Sequence, residues 1–93
     1  MSSGETVRAE ILVSGRVQGV GFRRFARNAA ERFGVECNPI NLRDGRVFVL
    51  AEGRLEALEL LINELRKGPT FAHVEDVDVT FTEALGNVYE LST

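Results

Sequence analysis

Between Val13 and Arg23 the chain reads Val13-Ser14-Gly15-Arg16-Val17-Gln18-Gly19-Val20-Gly21-Phe22-Arg23. Three glycines and an arginine stand where a strand-like pattern gives way to a helical one. A glycine-rich loop can turn successive backbone N–H groups toward one point, and the positive end of the following helix faces that same point. Arg23, in the first helical turn, adds a permanently charged planar fork suited to a phosphoryl group. The amides of Gln18, Gly19, Val20, Gly21 and Phe22, together with Arg23, read as a cradle for phosphate or another oxyanion. A cation at a helix start runs against the dipole preference for acids, and a bound anion accounts for it. Gly15, Gly19 and Gly21 alone would serve a tight turn equally well; Gln18 and Arg23 beside them favour the cradle.

Other polar residues are weaker candidates. Asn41 precedes the Arg43-Asp44-Gly45 turn, where asparagine is common for backbone hydrogen bonding. Its amide can also accept a hydrogen bond from water while donating another to a phosphoryl group. Arg24 and Arg27 read as surface arginines. His73 reads as a solvated strand-end residue, and Cys37, with no histidine near it in sequence, as a small packed side chain. Glu75, Asp76 and Asp78 read as a solvated strand face rather than metal ligands.

These groups must be held by a scaffold. Val7, Ala9, Ile11 and Val13 alternate with Arg8, Glu10, Leu12 and Ser14, a strand pattern. Phe22, Phe25, Ala26, Ala29 and Phe33 recur at helical spacing up to Gly34. Val35 to Leu42 predicts a second strand containing Pro39. Arg46 to Glu52, apolar on both faces, predicts a central one. Leu55, Leu58, Leu61, Ile62 and Leu65 mark a second helix ended by Arg66-Lys67-Gly68-Pro69. Asp76 to Thr82 alternates again, and Val88 to Leu91 is a candidate fifth strand.

The order is strand, helix, strand, strand, helix, strand. Right-handed crossovers then put both helices on one face of a four- to five-stranded antiparallel sheet, an α+β ferredoxin-like βαββαβ sandwich. The second strand lies at the sheet edge, which tolerates Pro39 if its missing N–H would have faced outward. The open face is expected to expose Arg8, Glu10, Asp76, Asp78 and Thr80. Leu12, Phe48 and Leu50 interrupt it with an apolar patch, covered either by C-terminal residues or by a second copy.

Composition sets outer bounds. The 93 residues, 44% hydrophobic, suffice for one core. Residues 7–93 are therefore expected to form a single domain behind a loose tail of residues 1–6. A net charge of −3 argues against nucleic acid, which requires a basic face. The single cysteine precludes an internal disulfide and points to a reducing cytoplasm. No run of about 18 apolar residues occurs, and the polar start lacks a signal-peptide core.

The run Gly15-Arg16-Val17-Gln18-Gly19-Val20-Gly21-Phe22-Arg23 resembles the first acylphosphatase signature throughout. Asn41-Leu42-Arg43-Asp44-Gly45-Arg46-Val47, ending at Gly53, is similar to the back half of the second, and the order of elements agrees. The resemblance implies a hydrolase of small acyl phosphates, Arg23 binding phosphate and Asn41 orienting the attacking water, with no metal and no organic cofactor; a monomer is expected. Where the family usually carries glycine, an aromatic, a small apolar residue and a polar or basic one before the asparagine, this chain has Cys37-Asn38-Pro39-Ile40. That departure leaves a second reading open: an anion-binding module with an intact cradle and a degenerate second motif. It also leaves Asn38 as an alternative presented amide if the strand slips. An RNA-binding sheet is disfavoured, since Phe48 is its single aromatic candidate and Glu10, Asp76 and Asp78 repel a backbone.

Overall fold

The computed structural model describes residues 5–90. Its elements are β1 (Thr6–Arg16), α1 (Phe22–Phe33), β2 (Glu36–Asn41), β3 (Val47–Arg54), α2 (Leu55–Lys67) and β4 (His73–Glu83), followed by a 3-10 turn at Val88–Glu90. The antiparallel sheet runs β2-β3-β1-β4, the expected ferredoxin-like order with β2 at one edge. Thr6, assigned above to the tail, is the first residue of β1; residues 1–4 lie outside the described residues.

Alternation decides which strand face closes the core. Ala9, Ile11 and Val13 of β1 and Val47, Val49 and Ala51 of β3 are fully buried, packed against Phe22, Ala26, Ala29 and Ala30 of α1 and Leu58, Leu61 and Leu65 of α2. Helix α1 stops where the sequence puts Gly34: its left-handed φ of 71° lets Gly34 N–H reach Glu31 O and Val35 N–H reach Ala30 O, a Schellman closure. Arg32 of α1 and Lys67 of α2 both pair with Glu64 of α2, so one carboxylate joins the ends of the two helices.

Gly15 serves the sheet. It sits at a break in the β1–β4 register with φ 120°, where an added Cβ would lie 2.2 Å from His73 O. No side chain fits between backbones so close, and the glycine is required there.

The open face departs from expectation in two ways. Val88–Glu90 is a 3-10 turn rather than a fifth strand, and Leu91 lies outside the described residues. Residues 84–90 cross the open face instead of extending the sheet, with Val88 buried beneath them. The 3-10 turn packs against β2 and β3, and of the apolar patch Leu50 is buried while Leu12 and Phe48 stay half-buried, so the cover is partial. Arg8 is also buried rather than solvated. It stands opposite Glu52 in the ladder, and its Nε donates to Glu52 Oε2 at 2.8 Å while its guanidinium donates to Asn87 Oδ1. Glu52 further accepts the N–H groups of Leu85 (2.7 Å) and Gly86 (2.9 Å). Burial works against the charge on Glu52, yet these donors outweigh it and hold its pKa below the ordinary glutamate value.

Candidate active site

The segment from Val17 to Gly21 joins β1 to α1. Val17 is buried and Val20 packs against the core, so apolar side chains anchor the loop while its glycines shape it. Gly19 (φ 75°) and Gly21 (φ 81°) are left-handed, and an added Cβ at either would meet nothing within 4 Å. Backbone conformation, not space, demands glycine here. Gly21 caps α1 with no side-chain hydrogen bond and no acid in the first turn. The first amides of α1 have no intrahelical acceptor and face outward with the positive end of the helix dipole. Among the described residues, the loop and turn hydrogen bonds include none donated by the N–H groups of Gln18 to Gly21.

These groups border a cavity of about 240 Å³ lined by Val17, Gly19, Gly21, Phe22, Arg23, Arg24, Arg27 and Asn41. The fold therefore brings Arg23 and Asn41 to one opening. Asn41, exposed at the last position of β2, has a side-chain amide with no protein partner among the described residues. Gln18 and Val20 do not line the cavity. The Gln18 side chain turns away and donates to Leu42 O at 2.7 Å and Arg46 O at 2.9 Å. It thereby fastens the cradle loop to the turn that follows Asn41. That turn is closed independently by Leu42 N–H to Arg46 O (2.9 Å) and Gly45 N–H to Leu42 O (3.2 Å). The Asp44–Arg46 ion pair reinforces it, and the hydrogen bond from Arg46 lowers the Asp44 pKa.

Pro39 leaves β2 in register. Its ladder partner is Val49, and Asn41 still faces Val47. Cys37 N–H donates outward to the Tyr89 hydroxyl at 3.2 Å. N–H directions alternate along a strand, so the missing donor of Pro39 belongs to the same outer side, where the β2–β3 ladder loses nothing. Asn38 points to the opposite sheet face, its Nδ2 donating to Val88 O at 2.8 Å.

Comparisons with known proteins show the family. The family model for acylphosphatase matches residues 9–89, a span containing the whole cradle and Asn41. The chain belongs to the acylphosphatase family. It is 51% identical over 79 residues to an acylphosphatase of Thermus thermophilus, covering 85% of this chain and 90% of that one. Its identity to the Deinococcus radiodurans acylphosphatase is 45% over 80 residues, covering 86% and 92%. Among solved structures, the crystal structure of acylphosphatase from Bacillus subtilis superposes with a TM-score of 0.84 at 38% identity, covering 88% of this chain and 91% of that one.

Two arginines of this family member take places that sequence reading did not assign, while Cys37 and His73 lie as expected. Arg24 and Arg27, read as surface arginines, line the cavity with Arg23. The i, i+4 spacing of Arg23 and Arg27 could have signalled a shared face, but not that β2 closes a cavity beside it. Cys37 is buried, and burial pushes its pKa up to about 12, only partly opposed by the charge of Arg27. At neutral pH it is a packed thiol. His73 lies exposed at the start of β4, away from the cavity lining. The lining contains no carboxylate and no imidazole. Among the described residues no group of three His, Cys, Asp or Glu side chains is placed to hold a metal ion, and no helix is long and apolar enough to cross a membrane.

Proposed function

We propose that the chain hydrolyses the carboxyl–phosphate bond of acyl phosphates, with Arg23 and the loop amides holding the phosphoryl group and Asn41 orienting the attacking water. The observation that carries this reading is one cavity uniting an uncapped helix start, Arg23 and an amide side chain without a protein partner. Water oxygen bonds to phosphorus as the bridging P–O bond breaks, and the electron pair leaves with the carboxylate. The proton released by water passes to phosphate or solvent. A carboxylate leaves without protonation, so a general acid is dispensable, as are a metal and an organic cofactor. What the protein must supply is in-line positioning and stabilisation of the equatorial oxygens. Each preorganised donor of that kind is worth roughly 2.7–4 kcal/mol in the transition state.

The uncharged Asn41 amide positions water rather than deprotonating it. A cytoplasmic monomer without nucleic-acid partners fits the single buried thiol and the acidic balance of the chain. The test is hydrolysis of benzoyl phosphate, with chelator present, by the parent, Arg23→Ala and Asn41→Ala. Turnover by the parent and its loss in both variants is the expected result. A folded parent that binds phosphate without turnover would establish the anion-binding module instead.

A further inference from the structure

We infer that the outer edge of β4, with the groove between it and α2, is a docking surface for an extended segment of a partner protein in which apolar residues alternate with lysine or arginine. The two edges of the sheet are built differently. β2 has six residues, carries Pro39, and gives its outward Cys37 N–H to the Tyr89 hydroxyl. β4 has 11 residues with no proline, lysine or arginine, and β1 is its only ladder partner among the described residues. Alternate N–H and C=O groups on its outer side are therefore open to another strand, without the proline or lysine that commonly blunts such an edge.

The two faces beside that edge define the occupant. On the helix side a cavity of about 370 Å³ opens between Glu59, Ile62, Asn63 and Arg66 of α2 and Val79 and Phe81 of β4. No residue of β1 or α1 lines it, so it opens on the outer flank of the sheet, and it shares no residue with the cavity at Arg23 and Asn41. Phe81 is 45% exposed there, and the exposed Leu55 lies on the same stripe of α2 as Glu59, Ile62 and Arg66. The charges of Glu59 and Arg66 offset one another, leaving an apolar slot. The other face of β4 is acidic. Asp76, Asp78 and Thr80 stand beside Ser14, Leu12 and Glu10 of β1. Of the two arginines of β1, Arg8 is taken by Glu52, and Arg16, at the far end opposite His73, pairs with neither aspartate. A strand laid along β4 sends alternate side chains to the two faces. Apolar ones enter the slot at Val79 and Phe81, and cationic ones meet Asp76 and Asp78. A second copy fits badly, because antiparallel pairing of two β4 strands brings Glu10, Asp76 and Asp78 of both copies onto one surface.

The experiment measures binding of a fluorescein-labelled peptide, acetyl-Lys-Val-Arg-Val-Lys-Val-Arg-amide, to the full chain by anisotropy. Its counterparts with acids in place of the cations, or serines in place of the valines, are expected to bind about tenfold more weakly. N-methylation of the valines and of the cationic residues should differ in effect, since only alternate N–H groups of an added strand face β4. Hydrogen exchange should slow at the β4 amides when the parent peptide is bound. Asp76→Lys with Asp78→Lys turns the preference about tenfold toward the acidic peptide, and Phe81→Ala weakens binding by about threefold to fivefold. All three positions are exposed, and circular dichroism confirms that the variants fold. No binding at millimolar peptide, a basic preference surviving the charge reversal, or equal binding of the two N-methylated forms overturns the inference. A concentrated parent that dimerises with its β4 amides protected gives the edge to a second copy and overturns it as well.

Discussion

Replacing Gln18 with alanine separates holding the phosphate from aiming the water. The Gln18 amide group makes two hydrogen bonds, to Leu42 O at 2.7 Å and Arg46 O at 2.9 Å. Neither carbonyl is orphaned by the change, since Gly45 N–H still reaches Leu42 O and Leu42 N–H still reaches Arg46 O. The stability cost is therefore that of two ordinary hydrogen bonds, about 1–2 kcal/mol in all, or roughly 4–8 °C of Tm for each kcal/mol in a domain of this size. At 25 °C the variant stays folded. Arg23 and the loop glycines are untouched, so inhibition by inorganic phosphate stays within about threefold of the parent. Asn41 adjoins Leu42, and losing the staple frees its strand end relative to the cradle. A displacement of about 1 Å in such a group can cost up to 100-fold in rate, so kcat for benzoyl phosphate is expected to fall by about 10- to 100-fold. Steady-state kinetics with phosphate as competitor reads both quantities. A kcat close to the parent, or equal losses in kcat and phosphate affinity, would refute the division of labour.

Three further outcomes follow from the same contacts. Glu52→Ala leaves Arg8 buried without its carboxylate and two C-terminal amides without an acceptor, a loss of about 3–5 kcal/mol measurable by urea unfolding at pH 7. The folded pKa of Glu52 is lowered, so its contribution is complete above the unfolded value of about 4.3 and disappears as pH falls through the folded one. Parent stability should drop on acidification below about pH 4, and the Glu52-dependent part of that drop should vanish in Glu52→Gln. Gly15→Ala forces a Cβ to 2.2 Å from His73 O at φ 120° and should cost about 3 kcal/mol or more, read as a lowered Tm; an unchanged Tm would show that the bulge relaxes freely. Arg23→Ala should weaken inhibition by inorganic phosphate by about 10-fold or more, while unaltered inhibition would remove Arg23 from the cradle.

What the sequence made legible were features carried by local rules. Positive-φ glycines, a helix stop at Gly34, two amphipathic helices and alternating strands are written in neighbouring residues, and they define the sandwich and the cradle loop. The burial of Arg8 was not of this kind. Its partner Glu52 stands opposite only in the β1–β3 register, and its cover comes from Leu85, Gly86 and Asn87 at the far end of the chain. Val88–Glu90 misled for the same reason: a short apolar segment fits a strand until the open face offers its side chains somewhere to pack. Arg24 and Arg27 carried the helical spacing but not the cavity, because β2 forms its other wall. Gln18 was legible as part of the loop, while its role as a staple depends on where the β2–β3 turn lies.

The residues before Asn41 bring these strands of argument together. Cys37-Asn38-Pro39-Ile40 lacks the glycine and aromatic usual in the family, yet Asn41 still pairs with Val47. The C-terminal segment braces this edge strand, with Val88 O accepting from Asn38 and the Tyr89 hydroxyl accepting from Cys37 N–H. Asn38 therefore braces β2 from the face opposite Asn41, and the two asparagines should separate cleanly on substitution. Asn38→Ala loses its hydrogen bond to the C-terminal segment, costing about 1–2 kcal/mol of stability, while turnover at 25 °C stays within about threefold of the parent. Asn41→Ala should do the reverse: its exposed side chain makes no protein contact to lose, so stability is preserved and kcat falls by about 100-fold. Chemical unfolding and benzoyl phosphate kinetics on both variants test the pair. If activity were lost in Asn38→Ala and kept in Asn41→Ala, the presented amide would be Asn38 and the strand would act in a slipped register.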